Sequence, residues 1–151
     1  MHYTFNDDLN LAYAGTDPAG KSATLAIGEL LPRLVGVLDQ EALLRLASLD
    51  PSGQSGIVIR ALRSFECSAQ RWRRLLQVAL GEDDTTGLGA VVHTFKSAAA
   101  MVGASKLSRL CAEAERLAQG QWTRDLDDLV NRILSESARV LAMLGSLRRG
   151  C

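Results

Sequence analysis

Residues 58–79, VIRALRSFECSAQRWRRLLQVA, carry the most regular pattern in the chain. Val58, Leu62, Phe65, Ala69, Trp72, Leu76 and Ala79 recur at alternating steps of four and three. That spacing winds one apolar stripe along the side of an α-helix. A helix with a single apolar face must bury it against other elements. The flanking sequence supplies three more helices of the same kind. Asp83, Asp84, Thr85 and Thr86 offer caps for a helix carrying Leu88, Val92, Phe95, Ala99 and Val102. Gly103 allows a tight turn, and Ser105 stands ready to cap a helix with Leu107, Leu110, Cys111, Ala114 and Leu117. Gly120 ends that helix, and Thr123 is placed to cap the last one. Asp125, Asp127 and Asp128 occupy its first turn, where the helix dipole favours anions, and Arg148 and Arg149 close it. Its stripe is Leu126, Leu129, Ile133, Ser137, Val140, Leu144 and Leu147.

Four helices joined by short connections run antiparallel to their neighbours. The expected fold is therefore all-α, an up-down-up-down antiparallel four-helix bundle with additional helical segments before it. A short helix is expected from Asp39 to about Leu49, with Asp39 as N-cap, before the break at Pro51, Ser52 and Gly53. Ile27, Leu31, Leu34 and Leu38 give helical spacing over 22–38, interrupted by Pro32. Residues 1–21 are polar and turn-rich. The chain thus divides into an N-terminal extension, 1–38, and a bundle domain, 39–148.

Composition narrows the function classes. The chain has 151 residues, 47% hydrophobic and 23% charged, as expected for one globular domain with an appendage. Lys plus Arg and Asp plus Glu number 17 each, so net charge gives no argument for nucleic acid or an anionic membrane as partner. Arg71, Arg73 and Arg74 read as a solvated helix face. The three cysteines have no C-x-x-C spacing and read as reduced thiols, not as a metal site. The first twenty residues lack the continuous apolar run of a leader, and no stretch is long enough to span a bilayer, so a cytoplasmic location is expected. Residues Gly15 to Ser22 fit the G-x-x-x-x-G-K-[ST] pattern of a phosphate-binding loop, with Lys21 as its lysine. That loop needs a parallel sheet and a distant Mg²⁺-binding aspartate, and the helical remainder supplies neither. The stretch reads as a Gly- and Pro-containing linker.

The chemistry centres on His93. It lies off the buried stripe of its helix, and Lys96 follows one turn later on the same face. A cation there stabilises the dianion created when an imidazole is phosphorylated. Gly89, Ala90, Ser97 and Ala100 flank His93 at helical spacing and leave room for another protein to approach, although alanines also simply favour helix. His93 lies eleven residues before Ala104 and Glu115 eleven after it, so a hairpin turning at Gly103-Ala104 brings the two level. Glu115 is then placed to accept a hydrogen bond from Nδ1–H and leave Nε2 as the nucleophile. The alternative is a solvated Glu115 paired with Arg116 or Arg109.

The segment His93-Thr94-Phe95-Lys96-Ser97-Ala98-Ala99-Ala100-Met101-Val102-Gly103-Ala104 resembles the signature of histidine-containing phosphotransfer (HPt) domains: His, any residue, a hydrophobe, Lys, small residues, a hydrophobe, then Gly-Ala. Leu107, Cys111 and Glu115 match the family's pattern on the next helix, Phe65 falls where the family has phenylalanine, and Ser97 stands where glycine is commonest. The resemblance covers about residues 39–145. It implies that His93 accepts a phosphoryl group, that Lys96 stabilises its charge and that Glu115 orients the ring. It also implies docking over Gly89, Ala90, Ser97 and Ala100, with Gly103 shaping the turn. The implied partners are the receiver domains of a hybrid histidine kinase and a response regulator. Mg²⁺ would come from the receiver, leaving this chain with no cofactor, no turnover of its own and no need to be other than a monomer. The rival reading is a helical interaction module that docks partners without being phosphorylated.

Overall fold

The computed structural model describes residues 36–145. The extension 1–35, most of the helical spacing at 22–38, the loop-like Gly15–Ser22 stretch, Leu147, Arg148, Arg149 and Cys151 lie outside the described residues. Five helices are present among the described ones: α1 Gln40–Ala47, α2 Ile57–Glu82, α3 Thr85–Met101, α4 Ser105–Leu117 and α5 Arg124–Gly145. Helices α2 to α5 form an up-down-up-down four-helix bundle. Each packs on the next in order, α5 closes the ring against α2, and α1 lies on α2 and α3.

The expected stripes meet in one core. Phe65, Leu76, Leu88, Val92, Phe95, Leu107, Leu126, Ile133 and Val140 are all buried. The Phe95 ring sits between Phe65, 6.1 Å away, and Trp72, 5.0 Å away, within the distances at which tilted aromatic pairs attract. Polar residues are buried where they are paired. Glu136, 6% exposed, is held by Arg139 at 3.1 Å and Lys106 at 3.7 Å. Arg73 was expected on a solvated face. Its guanidinium instead crosses to α5, where Nε donates to Ser137 Oγ at 2.8 Å and Nη2 to the Leu134 carbonyl at 3.3 Å. A long cationic side chain covers apolar surface with its stem while its head finds acceptors beyond it.

The helix ends follow local chemistry. Asp39 caps α1 by accepting from Glu41 N–H at 3.0 Å, and Asp84 caps α3 by accepting from Gly87 N–H at 2.9 Å. Thr123 Oγ1 accepts from Leu126 N–H at 3.2 Å. Ser105, expected as a cap, is the first residue of α4 and not its cap; Ala104 takes that position with no side-chain bond. The reason lies one residue earlier. Gly103, at φ +82°, closes α3 with two bonds, Ala104 N–H to the Ala99 carbonyl at 2.8 Å and Gly103 N–H to the Ala100 carbonyl at 3.2 Å. This is the Schellman closure, and it brings α4 in one residue sooner. Of the thiols expected to be reduced, Cys111 is free and buried, whereas Cys67 is disulfide-bonded.

Candidate functional site

The hairpin of α3 and α4 brings three of the expected site residues together. Glu115, on the last turn of α4, places Oε2 2.5 Å from His93 Nδ1. Its other oxygen, Oε1, accepts from Lys96 Nζ at 2.5 Å. One carboxylate therefore bridges the imidazole and the ammonium, and Lys96 reaches across to α4. Arg116 is engaged by Glu113 instead. The Ser108 hydroxyl donates to the Lys96 carbonyl at 3.0 Å, pinning α4 to α3 near the turn. Nothing in the spacing of the sequence marked that contact.

The His93 side chain is 65% exposed, against 26% for Glu115 and 32% for Lys96. With Nδ1 turned inward to the carboxylate, Nε2 lies on the open side of the ring. The Glu115 carboxyl is held below its ordinary value, first by the hydrogen bond from Lys96 and then by that from His93. It is thus an anion at neutral pH, able to accept from Nδ1–H and hold the ring in the tautomer whose Nε2 lone pair is free.

The small residues around His93 divide into two groups. Ala90, Ser97 and Ala100 are exposed on the same side of α3 and leave the ring open to an approaching surface. Gly89 turns toward α4, where a Cβ would meet Ala118 at 3.8 Å, so it lies at the edge of that face and within the helix contact. Met101, 60% exposed, extends the face at its C-terminal end. Gly103 stands apart from the ring at the hinge. A Cβ there would meet the Asp39 carbonyl at 2.8 Å and the Asp39 nitrogen at 2.9 Å. The absence of a side chain lets the start of α1 bond to the hinge, with Asp39 N–H donating to the Gly103 carbonyl at 2.6 Å.

Beneath the site, Cys111 is buried, and its thiol is pushed up to about 12, first by that burial. No group of three or more His, Cys, Asp or Glu able to hold a metal ion occurs among the described residues. No helix among them is long and apolar enough to cross a membrane.

Comparison with known proteins agrees with this geometry. The chain is similar to histidine-containing phosphotransfer protein B of Pseudomonas aeruginosa PAO1, whose crystal structure superposes with a TM-score of 0.64 at 25% sequence identity, over 74% of this chain and 94% of that one. No curated protein matches it in sequence. A family model for the Hpt domain matches residues 60–150, well over half of the chain. With an exposed, carboxylate-held histidine on a four-helix bundle, the chain belongs to the Hpt family, the histidine phosphotransfer domains of two-component phosphorelays.

Proposed function

We propose that His93 is the phosphoryl acceptor of this chain. It takes the group from a receiver aspartate in a hybrid histidine kinase and passes it to the aspartate of a response regulator. The observation that carries the reading is the Glu115 carboxylate on His93 Nδ1, with the ring 65% exposed on its other side.

The Nε2 lone pair attacks the phosphorus of the aspartyl phosphate in line. The N–P bond forms as the acyl P–O bond breaks, and the electron pair leaves with the receiver's carboxylate. The ring keeps its Nδ1 proton and becomes cationic, and Glu115 balances that charge. Lys96, one helical turn along α3 from His93, supplies the cation that stabilises the charge of the incoming phosphoryl group. Delivery to the second aspartate is the reverse sequence. Such transfers depend on positioning and charge neutralisation more than on covalent help. The receiver holds the Mg²⁺, so this chain needs no cofactor. It acts as an intermediate without turnover, as a monomer in the cytoplasm.

The test is transfer from a panel of radiolabelled phospho-receivers to the wild type and to His93→Gln. Label on the wild type alone, lost in acid and stable in base, is expected, because a phosphoramidate hydrolyses in acid. Label persisting on His93→Gln would overturn the assignment.

A further inference from the structure

The sulfur of Cys67, half-buried on α2, is in a disulfide. The sequence holds three cysteines, Cys67, Cys111 and Cys151. Cys111 is free and fully buried beneath the His93 site, so it is not the partner. The structure is that of a single chain, and elimination leaves Cys151. The reach of the chain agrees. Helix α5 ends at Gly145, and a Cβ on Gly145 would stand 3.9 Å from Oε2 of Glu66, the residue beside Cys67. Cys151 follows six residues later, a length that spans up to about 20 Å when extended and leaves slack for a return to α2. The charged neighbours of Cys67 on this side of α2 are already shielded from water: Arg63 is 7% exposed and Glu66 4%. Charged groups are rarely buried so far unless other groups lie over them and pair with them. A returning segment that carries Arg148 and Arg149 suits the Glu66 carboxylate in sign.

We infer that Cys67 and Cys151 form a reversible disulfide latch, which ties the segment after α5 to α2 and makes the stability of the bundle depend on thiol redox state. The contact of α5 with α2 closes the ring of helices. Arg73 joins the two near the middle of α5, through Ser137 and Leu134, and the latch joins them at its far end. A cross-link stabilises the fold mainly by restricting the unfolded chain, and more so for a long loop. In a compartment whose glutathione keeps ordinary thiols reduced, such a bond is a sensor and not a permanent staple. The oxidant is a small disulfide. One cysteine thiolate attacks it, forms a mixed disulfide and releases one thiolate. The second cysteine thiolate attacks the protein sulfur of that mixed disulfide, forms the Cys67–Cys151 bond and releases the other. The two cysteines lose two electrons and two protons, and the oxidant becomes two thiols. The latch lies on α2 and α5, apart from His93, Lys96 and Glu115 on α3 and α4, so it does not depend on the phosphotransfer reading.

The experiment equilibrates the full chain in a series of reduced and oxidised glutathione buffers and quenches it with acid. Non-reducing tryptic digestion with mass spectrometry then identifies the bond. Cleavage after Arg63, Arg71 and Arg149 leaves Cys67 in Ser64–Arg71 and Cys151 in Gly150–Cys151. The oxidised protein is expected to yield these two peptides joined, and reduction to separate them. Circular dichroism melts of the same samples read the consequence. The melting temperature of the oxidised wild type is expected to exceed that of the reduced wild type by roughly 5–15 °C. Cys67→Ser and Cys151→Ser are each expected to melt like the reduced wild type in every buffer, and Cys111→Ser to keep the redox dependence. A cross-link that contains Cys111, a disulfide between two chains, or thiols that stay reduced in oxidised glutathione overturns the latch. So does a melting temperature that oxidation leaves unchanged in the wild type, a comparison that needs no substitution.

Discussion

At the scale of single residues, Glu115 does two things at once, and its titration reports both. Its carboxyl is depressed from an ordinary value of 4.5 by Lys96 first and His93 second. A depressed carboxyl contributes stability that is fully present above the ordinary value and is lost as pH falls through the depressed one. The bridge should therefore stay intact on acidification from neutrality to about pH 4.5 and break only below it. A carbon-13 NMR titration of the Glu115 carboxyl checks this. Its midpoint should rise in Lys96→Ala, and an unmoved midpoint would show that Lys96 does not hold the carboxylate. Glu115→Ala should slow receiver transfer roughly tenfold to a hundredfold by freeing the ring, with Glu115→Gln between it and wild type, because an amide oxygen still accepts from Nδ1–H. Equal rates in all three would remove Glu115 from the mechanism. Gly103 makes a different kind of statement. At φ +82°, with Asp39 backbone atoms within 3 Å of any added Cβ, Gly103→Ala pays both the left-handed penalty and a clash. A loss of at least about 1–2 kcal/mol in denaturant melts is expected, and an unchanged midpoint would refute the packing described for that hinge.

At the scale of helices, the caps show how far local sequence reaches. Asp39, Asp84 and Thr123 cap as their positions indicate, because a cap requires only a side-chain oxygen and an N–H two or three residues on. Gly87 is part of the α3 cap, since a Cβ there would collide with the Asp84 carboxylate. Asp84→Ala should cost about 1 kcal/mol in a urea melt, and no change would mean that water satisfies those amides equally well. Ser105 misleads for an equally local reason, the closure at Gly103 that starts α4 one residue early. Arg73 cannot be placed from its own helix, because its acceptors, Ser137 and Leu134, lie more than sixty residues away.

At the scale of the whole molecule, the aromatic centre and the thiol beneath the site test whether the bundle behaves as one cooperative unit. Phe95 is fully buried between Phe65 and Trp72, so Phe95→Ala should cost about 3–5 kcal/mol and could unfold the bundle outright. A loss under 1 kcal/mol would mean the core is not packed as described. Cys111 is buried, with its thiol at about 12, while only the thiolate reacts. Alkylation of Cys111 should follow global unfolding across a denaturant series. Prompt labelling in native buffer would show a local opening of α4.

Much of this molecule was legible in the residues alone. The four stripes, the short connections, three caps and the His93–Lys96 spacing depend on neighbours within a turn or two along the chain, and helical periodicity displays them directly. Hairpin symmetry went one step further and brought Glu115 level with His93. It could not choose between that partner and the arginines beside it. Only the tertiary structure decided this: the approach of α3 to α4 put both His93 and Lys96 within 2.5 Å of the carboxylate, while Glu113 engaged Arg116. The same holds for Glu136 sealed between Lys106 and Arg139, Arg73 bound to α5, and Gly103 pressed against Asp39. Each includes a contact between segments far apart in sequence: Lys106 with Glu136, Arg73 with Ser137, and Gly103 with Asp39. Which polar groups pair when helices close depends on the depth and rotation of their packing, and those are set by the whole core at once.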